Sequence, residues 1–170
     1  MPYQSWVMPT VVGIIALLPV HAIASEAVLS EAVTPAAAPP TPSLARQATA
    51  ADQRFRQAQL QHHKGHLEAA LRLYTEAIQL NPSHVLAYVA RGGILGSLEN
   101  YDGAIADYNA ALDLNPELAG AYGGRGLARY RSGETTAGAQ DLLQAARLYR
   151  AQDRPGEFYS TLRVIQQLDP

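Results

Sequence analysis

Residues Ala69-Ala-Leu-Arg-Leu-Tyr-Thr-Glu-Ala-Ile-Gln-Leu-Asn-Pro82 and Gly103-Ala-Ile-Ala-Asp-Tyr-Asn-Ala-Ala-Leu-Asp-Leu-Asn-Pro116 are two copies of one pattern, 34 positions apart. The same offset carries Tyr88-Val-Ala-Arg-Gly92 onto Tyr122-Gly-Gly-Arg-Gly126. Two independent matches at one period mark an internal repeat. Small residues at fixed places let helices approach to roughly 8–10 Å, and the larger Tyr and Leu fill what remains. The Asn-Pro pairs end helices, because a residue ahead of proline is pushed out of helical geometry. A single repeat cannot bury its apolar face, so about three are needed for a stable stack.

Worked outward, the pattern resembles the tetratricopeptide repeat family, whose unit is a pair of antiparallel helices. The resemblance covers residues 51–84, 85–118 and 119–152, which is 102 of the 170. The family's small residue in the first helix is Ala58, Gly92 and Gly126; the one early in the second helix is Ala70, Ala104 and Gly138. The aromatic four positions on is Tyr74 and Tyr108, with Leu142 in the third repeat. A second small residue follows at Ala77, Ala111 and Ala145, and the closing proline is Pro82 and Pro116. Arg150 stands where the third proline belongs, so that helix is expected to run on. Arg54 and Gln57 occupy usually apolar sites of the first repeat, as suits a terminal unit whose outer face meets water. Beyond the repeats, Asp153 and Pro155 mark a helix start, and Phe158, Leu162, Ile165 and Leu168 share one face. Residues 153–170 are therefore read as a C-terminal capping helix. The resemblance implies an all-α fold, a right-handed superhelical stack of three helix-turn-helix repeats plus that cap.

The N-terminal part has another character. Residues 6–20, Trp6-Val-Met-Pro-Thr-Val-Val-Gly-Ile-Ile-Ala-Leu-Leu-Pro-Val20, are an apolar run shorter than the roughly 20 residues of a membrane span and broken by Pro9, Gly13 and Pro19. Ala22-Ile23-Ala24 follows with the small-residue spacing of a signal-peptidase site. No Lys or Arg precedes Arg46, a departure from the signal pattern. Residues 1–24 are thus expected to be a signal peptide or a retained membrane anchor. Residues 25–50, with prolines at 35, 39, 40 and 42, are expected to be a disordered Pro/Ala-rich linker without helix. Together these place the repeats in an exported, periplasmic or thylakoid-lumen-like space, tethered or free.

Composition removes several function classes. With 13 basic and 15 acidic residues the net charge is −2, which does not suit a phosphate-backbone partner, so no nucleic acid is expected. The absence of cysteine removes thiol catalysis and Cys-based metal sites. There is no nucleophile elbow, phosphate-binding glycine loop or His-Glu-x-x-His sequence. His62, His63 and His66 bring too few ligands for the three or four that a stable metal site wants. No enzyme activity, cofactor or metal is expected.

What remains is recognition. The resemblance implies a concave groove lined by the first helices. Matched residue by residue, the first repeat contributes Phe55, Gln59 and His62, the second Val89, Gly93 and Ser97, and the third Gly123, Leu127, Tyr130 and Arg131. One subfamily grips the C-terminal carboxylate of chaperones with Lys, Asn and Arg. The corresponding positions here are Phe55, Gln59, Ala90, Gly120 and Gly124, so that clamp is absent. Helix contact explains Gly92 and Gly126 but not Gly93, Gly96, Gly123 and Gly124. These either admit a partner's backbone or reflect drift toward marginal stability. Arg129, Tyr130 and Arg131 at one end suit an acidic or aromatic residue of a ligand. Arg91 and Asp107 lie sixteen apart, as do Arg125 and Asp141, while the first repeat has Gln57 and Leu73 at those places; this predicts structural ion pairs. The expected function is a protein–protein adaptor or assembly scaffold binding a segment or helix of another protein. The alternatives are weak self-association through the C-terminal helix, or a role as accessory subunit of an enzyme complex.

Overall fold

The computed structural model describes residues 41–168, and the calls on residues 1–24 and 25–40 lie outside them. Seven helices and no strand occur among the described residues: α1 (Pro42–His63), α2 (Leu67–Leu80), α3 (Val85–Ser97), α4 (Tyr101–Leu114), α5 (Ala119–Ser132), α6 (Thr135–Ala151) and α7 (Pro155–Leu168). None is long and apolar enough to cross a membrane. α1 packs on α2, α3 on α4 and α5 on α6; α2 leads on to α3, α4 to α5, and α6 to α7. α3 and α5, the first helices of successive pairs, also touch. The result is a stack of antiparallel pairs with α7 laid on the last of them.

Two local devices recur along the stack. Asn81 and Asn115 leave α2 and α4 in extended geometry ahead of their prolines. Each then folds its side chain forward: Asn81 Oδ1 accepts from the Ser83 amide and Asn115 Oδ1 from the Glu117 amide, both at 3.0 Å. This side-chain hydrogen bond, two residues on, imitates a backbone turn. The turn inside each pair is the second device. Gly65, Glu99 and Gly133 sit in it at φ 77°, 63° and 98°, the same left-handed residue in three successive repeats.

The core is built of small residues wedged by large ones. Ala58, Ala70, Ala77, Ala104, Ala111 and Ala145 are fully buried, and Tyr74, Tyr108 and Leu142 fill the space between helices. The third pair approaches closest. A Cβ on Gly138 would lie 2.7 Å from the Gly126 carbonyl oxygen, and one on Gly126 would lie 2.9 Å from that of Gly138. Only glycine at both places lets the two backbones meet.

One boundary differs from expectation and one follows it. The linker expected over residues 25–50 gives way to helix at Pro42, because proline at the first helical position forfeits no hydrogen bond and its φ already suits a helix. Thr41 caps that end, its hydroxyl accepting from the Leu44 amide at 3.4 Å. At the other end α6 has 17 residues against 14 in α2 and α4, since Arg150 does not break it.

Glu99 holds a conformation that costs a residue with a Cβ about 1–2 kcal/mol, and its side chain is exposed. Glu99→Gly should therefore raise stability by about 0.5–1 kcal/mol, after the added unfolded-state entropy is subtracted. Thermal denaturation followed by circular dichroism would check it, and an unchanged or lower midpoint would contradict it.

Candidate functional site

The ordering of the first helices comes from two half-buried arginines bound to buried aspartates. Arg91 on α3 donates from Nε to Asp107 Oδ2 at 2.8 Å and from Nη2 to Oδ1 at 2.7 Å, a bidentate pair with α4. Its remaining Nη1 donates to Thr75 Oγ1 on α2 at 3.0 Å. Arg125 repeats the arrangement: Nε and Nη2 bind Asp141 of α6 at 2.8 and 2.7 Å, while Nη1 donates to Asn109 Oδ1 of α4 at 2.7 Å. Each guanidinium thus joins its own pair of helices to the pair before. Its outer face is covered by Tyr88 or Tyr122, with Cζ 5.9 and 5.2 Å from the ring centroids. The aspartates are 5% and 6% exposed, so these pairs work largely out of water. Hydrogen bonds donated to Asp107 and Asp141 push the guanidinium pKa values of Arg91 and Arg125 up, against the opposing effect of burial. Arg129 Nη1 donates to Asp141 Oδ2 at 2.8 Å as a further partner.

The expected groove residues divide into two groups. Gly93 and Ser97 of α3 and Leu127 and Arg131 of α5 line one cavity of ≈ 160 Å³ on the face that the first helices form. Gly96, Tyr101, Tyr108, Gly124 and Ala128 complete it. Val89 packs against the same cluster, half-buried, and Gln59 and His62 are exposed on α1.

The others are engaged elsewhere. Phe55 is wedged between Tyr74 and His84, with ring centroids at 5.6 and 4.7 Å, and His84 Nε2 lies 3.3 Å from Asp52 Oδ1. It seals the seam between the first and second repeats. Tyr130 donates its hydroxyl to the Leu168 carbonyl at 2.7 Å and so fastens α7. Gly123 faces α6: a Cβ there would sit 3.8 Å from that of Ala145. Gly124, which helix contact did not explain in the sequence, lies beneath the Tyr108 ring, whose Cζ would be 2.3 Å from an added Cβ. Arg129 is committed to Asp141, which leaves Arg131 as the cation of that end facing the cavity.

Among the described residues no three His, Cys, Asp or Glu side chains come together as a metal group. His66 Nδ1 instead lies 2.8 Å from Gln61 Oε1, closing the turn after α1. Sequence reasoning missed Thr75 and Asn109, although each lies sixteen residues ahead of its arginine and the two are themselves one repeat apart.

A stack of antiparallel helix pairs, ordered by arginine–aspartate pairs and open along its first helices, defines a helical-repeat protein. The sequence profile described as "TPR repeat" matches residues 94–133, and that described as "Tetratricopeptide repeat" matches residues 54–84. The chain belongs to the tetratricopeptide repeat family. It is 40% identical over 81 residues to Hsc70-interacting protein 1 of Drosophila melanogaster, a match covering 48% of this chain and 22% of that protein. It is 30% identical over 126 residues to the TPR repeat-containing thioredoxin TDX of Arabidopsis thaliana, covering 70% of this chain and 33% of that one. The matches thus span between about a fifth and a third of the length of these two relatives. Among solved structures, the Arabidopsis OM64 TPR domain superposes with a TM-score of 0.64 at 21% identity, over 71% of this chain and 98% of that one. The first TPR of Spaghetti (RPAP3), bound to HSP90 peptide SRMEEVD, gives 0.63 at 22% identity over 71% and 93%.

Removing one partner of a buried, bidentate pair leaves an uncompensated charge and costs about 3–5 kcal/mol. Asp107→Asn, which keeps part of the hydrogen bonding, should lower stability by about 2–4 kcal/mol. The paired change Arg91→Met with Asp107→Leu should recover most of it. Urea unfolding of the three variants reads this; a double variant no more stable than Asp107→Asn would contradict it.

Proposed function

We propose that this chain is a non-enzymatic adaptor that binds a segment of another protein along the face formed by α1, α3 and α5. The observation that carries this reading is the open cavity between α3 and α5, lined by residues from three helices and held in place by the arginine–aspartate pairs behind it. The Spaghetti (RPAP3) structure holds an HSP90 peptide, and the Drosophila relative is named for interaction with Hsc70; both support a protein segment as the class of ligand. The segment need not be a chaperone tail. Phe55, Gln59, Ala90, Gly120 and Gly124 supply no cation at the positions where a carboxylate clamp would be built. The apolar run at residues 6–20 and the Ala22-Ile23-Ala24 site support action in an exported, periplasmic or thylakoid-lumen-like space, with the run either cleaved or kept as a tether.

The outward face of α7 carries Ser160, Arg163, Gln166 and Gln167 in exposed positions, interrupted by Tyr159 at 65% exposure, a mostly polar surface that favours a cap over a self-association face.

The test is crosslinked affinity purification of the full chain from fractionated cells, beside Gly93→Glu. Gly93 is exposed and an added Cβ would meet only the Tyr108 hydroxyl at 3.7 Å, so the variant should fold. A partner recovered with the wild type and reduced at least tenfold with the variant is the expected result, and its fraction reports the compartment. Equal recovery with both would overturn the groove as the binding face.

A further inference from the structure

The cavity between α3 and α5 is lined by two tyrosines, Tyr101 and Tyr108, and it is the second whose hydroxyl the fold aims at the glycines of the groove. Tyr108 is 7% exposed, and its ring is fixed over Gly124 with the hydroxyl lying between Gly93 and Gly124. Among the described residues that hydroxyl has no hydrogen-bond partner, whereas the hydroxyl of Tyr130 has Leu168. Burial, reinforced by the Asp107 charge, pushes the Tyr108 pKa up, so the group is an O–H donor at all ordinary pH. The Tyr108 hydroxyl opens to the cavity rather than being sealed from solvent, so a ligand's acceptor can take the place of water there.

Most of the cavity's remaining lining is apolar or minimal, from Gly93, Gly96, Leu127 and Ala128, with Ser97 and Tyr101 adding the other hydroxyls. Its volume, ≈ 160 Å³, is that of a single side chain; a cavity of about 150 Å³ accepts a benzene-sized molecule. At its edge Arg131 is exposed and forms no ion pair among the described residues, unlike Arg125 and Arg129 deeper in the same pair of helices.

We propose that this cavity seats one apolar side chain of leucine-to-phenylalanine size from the partner segment, with a carbonyl oxygen of that segment accepting from the Tyr108 hydroxyl and a carboxylate beside the anchor meeting Arg131. The proposal rests on the groove reading above and says which chemistry the groove selects. Size selection follows from the glycines. A residue larger than glycine at Gly124 would displace the Tyr108 ring, and side chains at Gly93 and Gly96 would take up the cavity itself. The arrangement accounts for Gly93 and Gly96, where an added Cβ would meet its nearest neighbour at an ordinary 3.7 Å and packing within the chain does not demand glycine.

The test is an NMR titration of the full chain with the end-blocked tetrapeptide glycyl-leucyl-aspartyl-glycine, its alanine-for-leucine and asparagine-for-aspartate analogues, and with the Tyr108→Phe variant. The leucine peptide should give saturable amide shifts at Gly93, Gly96 and Leu127, with a dissociation constant on the order of millimolar. Alanine in place of leucine should weaken binding at least tenfold, and asparagine for aspartate about threefold, this last difference vanishing in high salt. Tyr108→Phe should weaken the leucine peptide about threefold to tenfold at an unchanged melting temperature; a hydroxyl with a purely structural role would lower the melting temperature and leave the affinity unchanged. Equal binding of the leucine and alanine peptides, or no saturable shift at those glycines, overturns the proposal. If the captured partner is then still lost with Gly93→Glu, only the side-chain pocket has failed. If capture survives Gly93→Glu, the groove itself has failed.

Discussion

A guanidinium shared by three helices sets the geometry on which everything else depends. Arg91 satisfies Asp107 within its own pair and Thr75 in the pair before, and Arg125 does the same with Asp141 and Asn109. Packing of small residues fixes how close two helices lie, but it constrains sliding along their axes only weakly. A planar fork with fixed donor directions does constrain it, because a shift of half a turn would leave a charge buried and unmatched. The first repeat has no such arginine, and there Phe55 wedged between Tyr74 and His84 does the joining by shape. At the far end the Tyr130 hydroxyl tied to the Leu168 carbonyl holds the cap.

This order has a direct bearing on recognition. Holding α3 and α5 in fixed register keeps Gly93 and Gly96 across from Leu127 and Arg131, with Tyr108 rising between them from α4. The cavity is particular to one repeat boundary: Tyr108 stands in the core with Gly124 beneath it on the next helix, whereas Ala90 holds the equivalent place after Tyr74. Where Tyr108 meets Gly124 the core residue reaches the open face and brings its hydroxyl along. Core and site are separate in most folds; here one side chain serves both.

Much of this was legible in the sequence because the 34-residue offset constrains many positions at once. The Asn-Pro pairs placed the ends of α2 and α4, and the sixteen-residue spacing of Arg91–Asp107 and Arg125–Asp141 named both ends of each ion pair. What escaped were features that are not periodic or whose period is hidden by a change of residue. Thr75 and Asn109 occupy one repeat position but share no chemistry beyond a hydrogen-bonding oxygen. Pro42 was read as a breaker, and only a threonine ahead of it turns the same residue into a helix start. Phe55, Gly123 and Tyr130 sit at positions that face the groove in the family pattern. The partners that draw them away, His84, Ala145 and Leu168, are distant in sequence and specific to this chain.

In a repeat stack, stability is approximately a sum of terms within pairs and terms between neighbours, so loss of one joining contact should divide the molecule rather than loosen it uniformly. Hydrogen exchange on the full chain with Arg125→Met tests this most directly, since Arg129 still serves Asp141 while the link to Asn109 is gone. The account predicts that amides of α5, α6 and α7 lose protection while those of α1, α2 and α3 keep theirs. Protection lost to the same extent in all seven helices, or unchanged throughout, would contradict the claim that the shared arginines hold the repeats together.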